Sequence, residues 1–292
     1  MRNEGAEGVR RVEGVAGEEA IPSTRPTRIL MLGDVVGKPG RRAVVEHLPK
    51  LIEEHHPHIV IANGENAAGG LGITKETALP LFDAGVGVIT LGNHVWTQRD
   101  AAEFIQAEQR IIRPANLPPG LPGRGAGVFA AGSGGKVGVI NLLGRTFMAP
   151  VDDPFRAADA LIDEISRETP VIVVDMHAEA TSEKGAMGRY LDGRASAVLG
   201  THTHVPTCDE RILPGGTAFV TDIGMVGPRD SVLGMKVDTV LDYFRTLVKP
   251  RFEVASGAAV VSAVVLDVDP VTGGAQSISR ITVQESQTAT GG

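Results

Sequence analysis

Seven side chains of the kinds that bind metal ions follow five predicted strands in this 292-residue chain. They are Asp34, Glu65, Asn66, Asn93, His177, His202 and His204, and each group comes after a run of mostly apolar residues. Loops that leave the carboxyl ends of strands in an open α/β sheet converge on one crevice. Carboxylate, amide and imidazole groups that meet there suit a pair of hard or borderline divalent metal ions. The spacing therefore predicts a catalytic centre without relying on any single motif.

The two carboxylates, Asp34 and Glu65, each follow a glycine. Glycine allows a sharp backbone turn and leaves room for an ion, and the two oxygens of a carboxylate can bridge two metals. A carboxylate at a strand end can instead cap the helix that follows. That alternative stays open for each residue taken alone.

The histidines carry the sharpest local signal. His202 and His204 are two residues apart, and such residues point to the same side of a strand. Both imidazoles could then reach one metal pair, although a chance His-x-His is the alternative. His177 follows a run of valines, and His94 follows Asn93. His94 need not be a ligand, because an imidazole beside the metals can protonate a leaving oxygen or stabilise a phosphoryl oxygen. The alternative for the Asn93-His94 pair is a structural role in a turn or a helix cap.

The remaining residues exclude several other functions. The four other histidines, His47, His55, His56 and His58, are expected on a solvent-facing helix or just after it. The chain has neither a phosphate-binding P-loop nor a Gly-x-Ser-x-Gly elbow, and its glycines miss the dinucleotide fingerprint. Its single cysteine, Cys208, excludes Cys-x-x-Cys zinc sites and any intramolecular disulfide.

The amino-acid composition and the net charge limit the kinds of partner that the chain could bind. Hydrophobic residues make up 42% and charged residues 22% of the chain, as in an ordinary globular enzyme. A net charge of −7 disfavours strong binding to nucleic acid or to an anionic membrane. The chain has no run of 18 apolar residues, so no membrane-spanning helix is expected. With one cysteine, the chain fits the reducing cytoplasm.

Strand and helix patterns alternate along the first half, and further strands fill the second half. Helices are expected at 41–55, from Thr74 to about 83, and at 99–107, 154–167 and 237–248. Strands are expected at 29–32, 59–62, 86–91, 128–131, 137–142 and 171–175, and near 197, 219 and 258–268. Thr74 is an expected N-cap with half a capping box, since Thr77 stands where Glu completes it. The pattern suits an α/β fold of two stacked mixed sheets flanked by helices.

We expect one domain over residues 28–284, because ligands occur in both halves of the chain. Residues 1–27 contain Gly, Glu and Arg without an apolar core and are expected to form a disordered extension. Residues 285–292 are expected to fray.

The motifs together resemble those of calcineurin-like metallophosphoesterases, and of their bacterial YmdB-like phosphodiesterase branch in particular. The strings that carry the resemblance are Gly33-Asp34-Val35-Val36-Gly37-Lys38-Pro39-Gly40, Asn63-Gly64-Glu65-Asn66-Ala67-Ala68-Gly69-Gly70 and Thr201-His202-Thr203-His204-Val205-Pro206. The superfamily's usual Asp-x-His lacks its histidine here, and its usual bridging Asp is Glu65. In this branch the amide of Asn66 takes the place of that histidine.

The resemblance implies a four-layer α/β/β/α sandwich and two metal ions, Fe or Mn first, with Zn or Co also compatible. One ion would have Asp34, Glu65, Asn66 and His204, and the other Glu65, Asn93, His177 and His202. Glu65 would bridge them, and His94 would be the catalytic acid. The resemblance also implies a homo-oligomer.

The implied activity is hydrolysis of phosphodiesters by a metal-bridging hydroxide, with cyclic nucleotides such as 2′,3′-cAMP as candidate small substrates. Two alternatives remain open from the sequence. One is a metal-binding regulatory or scaffold protein whose hydrolysis is vestigial. The other is a phosphomonoesterase or nucleotidase.

Overall fold

The computed structural model describes residues 25–132 and 135–286, so the expectation of disorder for residues 1–24 lies outside the described part. Thirteen strands occur in these ranges: β1 (Thr27–Val35), β2 (Ile59–Asn63), β3 (Val88–Thr90), β4 (Ile111–Ile112), β5 (Ala126–Ala131), β6 (Gly135–Leu143), β7 (Ile172–His177), β8 (Ala197–Thr201), β9 (Arg211–Ile212), β10 (Ala218–Val220), β11 (Met225–Pro228), β12 (Ala259–Val268) and β13 (Ala275–Gln284). The six helices are α1 (Gly37–His55), α2 (Lys75–Asp83), α3 (Ala101–Ala107), α4 (Pro154–Ile165), α5 (Thr181–Tyr190) and α6 (Val237–Thr246).

The strands form two mixed sheets. The first has the order β13-β12-β11-β1-β2-β3-β4, and the second has the order β5-β6-β7-β8-β10-β9. In the first sheet the pairs from β11 to the edge strand β4 are parallel, and those of β12 and β13 are antiparallel. In the second sheet the parallel pairs β6-β7-β8-β10 lie between antiparallel pairs at both edges. The carboxyl ends of the parallel strands therefore lie at one edge of each sheet, where the candidate ligands follow them.

The helices and the two sheets form four layers, and one apolar core lies between each pair of adjacent layers. In β1, Leu30 and Leu32 pack with residues of α1, α2 and α3, whereas Ile29 and Met31 pack with the second sheet. A third core joins the outer face of the second sheet to α4 and α5. Because successive residues of a strand face opposite sides, a continuous apolar run covers both faces of a sheet. The predicted α/β/β/α sandwich is confirmed.

Helix α1 begins at Gly37, so the expected start at Arg41 is wrong. Pro39 lies in the first turn, where a missing backbone N–H costs no intrahelical hydrogen bond. The glycine- and proline-containing segment before Arg41 is thus the first turn of the helix. In α2 the capping box is complete, because the Thr77 hydroxyl accepts a hydrogen bond from the Thr74 N–H at 2.9 Å. The expectation of half a box is therefore wrong as well.

The C-terminal boundary lies beyond Glu285, which we expected to fray. Its carboxylate accepts hydrogen bonds from Arg42 on α1 at 2.7 Å and from the Ala259 N–H at 2.7 Å. Burial would raise the pKa of Glu285, but Arg42 and Ala259 lower it to about 2. Likewise β1 already starts at Thr27, inside the expected extension. Residues 287–292 lie outside the described part.

The four histidines assigned to a solvent-facing surface differ in exposure. His56 is exposed and ends α1 with a left-handed backbone, whereas His47, His55 and His58 are half-buried. The His58 ring accepts a hydrogen bond from the Arg28 N–H at 2.9 Å. His58 thus packs beside the start of β1, and His47 packs beside the end of β13 through Glu285 at 3.1 Å. No helix of the described residues is long and apolar enough to cross a membrane.

Two glycines of α5 provide a matched test of the packing against the second sheet. We expect Gly185→Ala to stabilise the protein by up to about 1 kcal/mol, because an added Cβ meets no atom within 4 Å and alanine favours the helix. We expect Gly188→Ala to cost about 1–3 kcal/mol through overpacking, because its Cβ would lie 2.5 Å from the Phe219 ring. Urea unfolding of both variants measures the difference, and equal stabilities would contradict this packing of α5.

Candidate metal centre

All seven predicted ligands come together at the carboxyl ends of the strands. Asp34 lies in β1, His177 ends β7, and Glu65, Asn93 and His202 lie in the loops after β2, β3 and β8. Gly92 is required by this convergence, since a Cβ there would collide with the Glu65 carboxylate and the His177 ring. Asp34, Glu65 and His177 are at most 1% exposed.

The first group of atoms surrounds the Nε2 atom of His177. Glu65 Oε1, Asn93 Oδ1 and His202 Nδ1 each lie 3.1 Å from this nitrogen. Ligands about 2.1 Å from one metal ion lie about 3.0–3.4 Å from each other at octahedral or tetrahedral angles. The spacing therefore matches that of atoms around a shared ion.

Hydrogen bonds on the far side of each ring fix where the protons lie. The Thr201 hydroxyl donates to Asp175 at 2.6 Å, so it can only accept from His177 Nδ1–H at 2.8 Å. Glu179 lies 3.1 Å from His202 Nε2 and accepts its proton. In their neutral forms both rings consequently turn a lone pair inward, toward further lone pairs of Glu65 and Asn93. A cation at their centre removes the mutual repulsion.

The second group contains an orphaned carboxylate oxygen. Asp34 Oδ1 is buried without a hydrogen-bond partner among the described residues, and it lies 4.0 Å from His204 Nε2. That nitrogen is also 3.2 Å from Asn66 Oδ1. His204 donates through Nδ1 to the Leu233 carbonyl at 3.0 Å, and Asn66 donates its amide N–H to Gly70 O. Three acceptor atoms thus again face one point.

The shifted pKa values show that the pocket attracts positive charge. Burial raises the pKa of Asp34 to about 6, although His204 and His177 oppose this shift. Burial lowers the pKa of His177, but the carboxylates of Glu65, Asp34 and Asp175 outweigh it and raise the value to about 9. A proton and a metal ion compete for the same imidazole lone pair. The donor set and its electrostatics therefore fit a bound cation.

The pKa values of two further candidate ligands, Glu65 and His202, are both lowered, for different reasons. Burial would raise the pKa of Glu65, but His177 and His94 lower it to about 2. Burial and the charge on His177 lower the pKa of His202 to about 3. The site thus keeps Glu65 ionised and the His202 lone pair free, which is the state that a metal ion requires.

Sequence reasoning missed the residues that support the ligands. Asp175 is fully buried beneath His177 and accepts from Thr90 at 2.5 Å and Asn63 at 3.0 Å, in addition to Thr201. Burial raises the pKa of this carboxyl group. Asp175 precedes His177 by two residues on β7, and a carboxylate within an apolar strand is the signal that could have identified it.

A second buried carboxylate, Asp222, supports the loop that carries His202 and His204. It accepts from Lys184 at 2.7 Å and from the hydroxyl and N–H of Thr203 at 2.7 and 3.1 Å. Both partners of the Lys184–Asp222 pair are fully buried. Lys184 belongs to α5, which the sequence analysis did not predict, so no local pattern could have paired it with Asp222.

The ligand loop has an unusual backbone. The φ angles of His202 and His204 are 97° and 65°, in a region that non-glycine residues rarely adopt. Such strain persists only where the surroundings impose it, and it is concentrated at functional sites. Here Asp34 accepts the His202 N–H at 3.1 Å, and Asp222 holds Thr203. The strain aims both imidazoles into the pocket.

The candidate acid, His94, lies at the rim of the same cavity. Its N–H donates to Glu65 Oε2 at 3.1 Å, and its ring Nε2 lies 3.3 Å from the Asn93 amide nitrogen. The cavity has a volume of about 260 Å³ and is also lined by Leu71, Glu179 and Met235. His94 is half-buried and donates no ring hydrogen bond to a carboxylate of the described residues, so the ring is placed to exchange a proton with a bound molecule.

A second cluster, Glu46, His47 and Glu285, also brings potential ligand atoms within 4.8 Å. There Arg42 already forms ion pairs with Glu46 at 2.8 Å and with Glu285 at 2.7 Å. The guanidinium supplies the positive charge that these carboxylates need. This cluster is a surface ion-pair network.

Comparisons with known proteins agree with the geometry. The chain is 51% identical over 258 residues to the 2′,3′-cyclic-nucleotide 2′-phosphodiesterase of Bacillus subtilis (strain 168), with 88% of this chain and 97% of that protein covered. Two crystal structures are similar. A hypothetical protein from Thermus thermophilus has a TM-score of 0.84 at 43% identity, covering 89% of this chain and all of that one. A novel phosphatase from Mycoplasma pneumoniae has a TM-score of 0.85 at 35% identity, covering 91% and 96%.

The family model described as "YmdB-like protein" matches residues 30–281, a range that includes every candidate ligand and His94. The match extends from β1 into β13 and so spans both sheets. The resemblance seen in the sequence motifs is confirmed, and the chain belongs to the YmdB-like family.

Proposed function

We propose that this protein is a metal-dependent phosphodiesterase that hydrolyses small phosphodiesters, with cyclic nucleotides such as 2′,3′-cAMP as its substrates. The observation that carries the proposal is the convergence of lone pairs around His177 Nε2, beside the orphaned Asp34 Oδ1. The name of the B. subtilis relative supports the substrate class. Hydrolysis of bis-p-nitrophenyl phosphate and of 2′,3′-cAMP with added Mn²⁺ tests it.

Two metal ions would be held in the sets that the resemblance implies. Asp34, Glu65, Asn66 and His204 would hold one ion, and Glu65, Asn93, His177 and His202 would hold the other. Oxygen and nitrogen ligands without sulfur suit Fe or Mn, and they also admit Zn or Co. When bound, such ions act as Lewis acids and lower the pKa of coordinated water to about 7.

The protein's own groups supply orientation and proton transfer. Asp175, through Thr201, holds the His177 tautomer, and Glu179 holds that of His202. Hydrolysis of a phosphodiester adds hydroxide to phosphorus and requires a proton on the departing ribose oxygen. We assign this proton to the His94 ring, which lies at the rim of the cavity. The Glu65 carboxylate fixes the His94 backbone at 3.1 Å.

A phosphomonoesterase activity is the second candidate, because the M. pneumoniae structure is described as a novel phosphatase. The ratio of turnover on bis-p-nitrophenyl phosphate to turnover on p-nitrophenyl phosphate separates the two classes. Metal binding without turnover of either substrate would instead favour the regulatory or scaffold function.

We also propose that the protein is located in the cytoplasm. Its exposed, unpaired Cys208 suits that reducing compartment.

We also propose that the protein is a homo-oligomer in which α6 pairs with α6 of a second copy. One face of this helix and the residue after it leave Val237, Leu241, Phe244 and Leu247 exposed, with Phe244 at 70%. Acidic residues precede basic ones along the segment, from Asp238 and Asp242 to Arg245 and Lys249. Antiparallel pairing about a two-fold axis brings each acidic half beside a basic half, so the surface is complementary to itself.

The orphaned oxygen predicts opposite effects of Asp34→Asn with and without metal. We expect the melting temperature of metal-free protein to rise, because the variant removes a buried carboxylate that costs desolvation energy. We expect the stabilisation by added Mn²⁺ to be lost, because one ligand oxygen is gone. Thermal unfolding in EDTA and in excess Mn²⁺ measures both effects. A variant that Mn²⁺ stabilises as much as the parent would exclude Asp34 as a ligand.

The acid assignment predicts a different outcome for His94→Ala. We expect this variant to bind metal like the parent but to lose about 10²–10⁴-fold in turnover, which is the usual contribution of general acid catalysis. His202→Ala is the matched comparison and should lose metal as well as turnover. Metal content by mass spectrometry and turnover of 2′,3′-cAMP give the readouts. Parental turnover by His94→Ala would exclude the assignment.

The α6 interface predicts that Phe244→Asp lowers the molar mass of the protein in solution. The substitution places a charge in the centre of the apolar face and removes its largest side chain. Light scattering after size exclusion gives the mass. Val271→Asp is the control, because Val271 is 62% exposed in the turn between β12 and β13. A monomeric parent, or equal masses for Phe244→Asp and parent, would contradict the interface.

A further inference from the structure

A second pocket lies next to the metal-centre cavity and carries positive charge. We call it the basic pocket; Lys38, Gly69, Arg251 and Val254 line it, and its volume is about 540 Å³. Lys38 lies in the first turn of α1, and Arg251 lies in the segment that follows α6. Both residues are exposed. The mechanism described above uses neither of them.

The wall between the two pockets is one residue thick. Gly69 lines the basic pocket, and the next residue, Gly70, lines the metal-centre cavity. Consecutive Cα atoms lie only about 3.8 Å apart. A Cβ on Gly70 would lie 2.9 Å from the Val254 side chain and 3.0 Å from that of Met235. The two pockets therefore adjoin along the Gly69-Gly70 backbone.

Two cations, Lys38 and Arg251, line the basic pocket against one carboxylate, Glu253, whose pKa is lowered by its hydrogen bond with Lys236 and by the charges of Lys236 and Arg251. Neither Lys38 nor Arg251 forms an ion pair with any residue of the ranges 25–132 and 135–286. The carboxylate in the pocket, Glu253, pairs with Lys236 at 2.5 Å instead. Two unpaired cations that face one cavity in an acidic protein favour an anionic ligand.

The backbone of Gly69 adds a donor at the same place. Its N–H has no acceptor among the described residues, although the neighbouring Ala68 and Gly70 N–H groups donate to Gly72 and Asn66. Its φ is +66°, and a Cβ there would meet no atom within 4 Å. A ligand can thus approach the bare backbone closely, as phosphates do at glycine-rich turns.

We propose that the basic pocket binds a second phosphate group of the substrate. The proposal rests on the phosphodiesterase function and extends it: the preferred substrate is a short oligonucleotide that ends in a 2′,3′-cyclic phosphate. The cyclic phosphate lies at the metals, and the next phosphodiester lies between Lys38 and Arg251. The net charge of −7 opposes long-range attraction of nucleic acid, so recognition is limited to this local contact.

The test compares adenosine 2′,3′-cyclic phosphate with the dinucleotide ApA that carries the same cyclic end. We expect kcat/KM of the parent to be about tenfold higher for the dinucleotide, as for one good charge-assisted contact. In Lys38→Ala/Arg251→Ala this ratio should fall to near one. Lys50→Ala/Arg156→Ala removes two cations elsewhere and should keep the parental ratio. Rising salt should lower the dinucleotide rate more than the mononucleotide rate.

Two results would overturn the second phosphate site: a parental ratio near one, or a ratio that the Lys38→Ala/Arg251→Ala variant leaves unchanged. Failure of the phosphodiesterase function would look different, since the parent would then hydrolyse neither substrate. Calorimetric binding of adenosine 3′-phosphate and of ApA with a terminal 3′-phosphate tests the second phosphate site even in that case. Equal Kd values for the two ligands in the parent would overturn the site. Unchanged melting temperatures confirm that the variants fold.

Discussion

Repulsion between lone pairs is the interaction on which the rest of the site depends. The far side of each ligand ring is occupied by a partner that fixes its proton: Thr201 for His177, Glu179 for His202 and the Leu233 carbonyl for His204. The inward atoms consequently meet one another at 3.1–3.2 Å. Burial lowers the pKa of His177, but the carboxylates around it raise the value to about 9, so a proton occupies its inward nitrogen when no metal ion is bound. Water alone would compensate this arrangement poorly in a buried pocket. The fold therefore stores unfavourable electrostatics that a cation relieves.

The fold class and the convergence of the seven candidate ligands could be predicted from the sequence because their signals are local. Apolar runs mark β1, β2, β3, β7 and β8, and the polar residues after them mark the strand ends. Parallel pairing then brings those ends to one edge without any knowledge of distances. Even the two departures from the wider superfamily, Glu65 and Asn66, could be read directly from the chain.

The supporting residues could not be predicted, since their meaning depends on partners far away in the chain. Asp222 is separated by 38 residues from Lys184, and Asp175 by 85 from Thr90. Helix α5, which carries Lys184, contains two glycines and lacks a clear apolar stripe. Its conformation is decided by packing on the second sheet, which overrides weak intrinsic propensity. The order at Glu285 was missed for the same reason, because Arg42 of α1 anchors its carboxylate.

The position of β1 also has a consequence for how the protein is made. This strand carries Asp34, yet it pairs with β11 and β12, and those strands end only at residues 228 and 268. During translation the first sheet therefore stays incomplete, with one edge of β1 unpaired, until residues 225–268 have been synthesised. Contacts between such distant segments form slowly. The strand that carries Asp34 is thus among the first to be made and among the last to gain all of its neighbours.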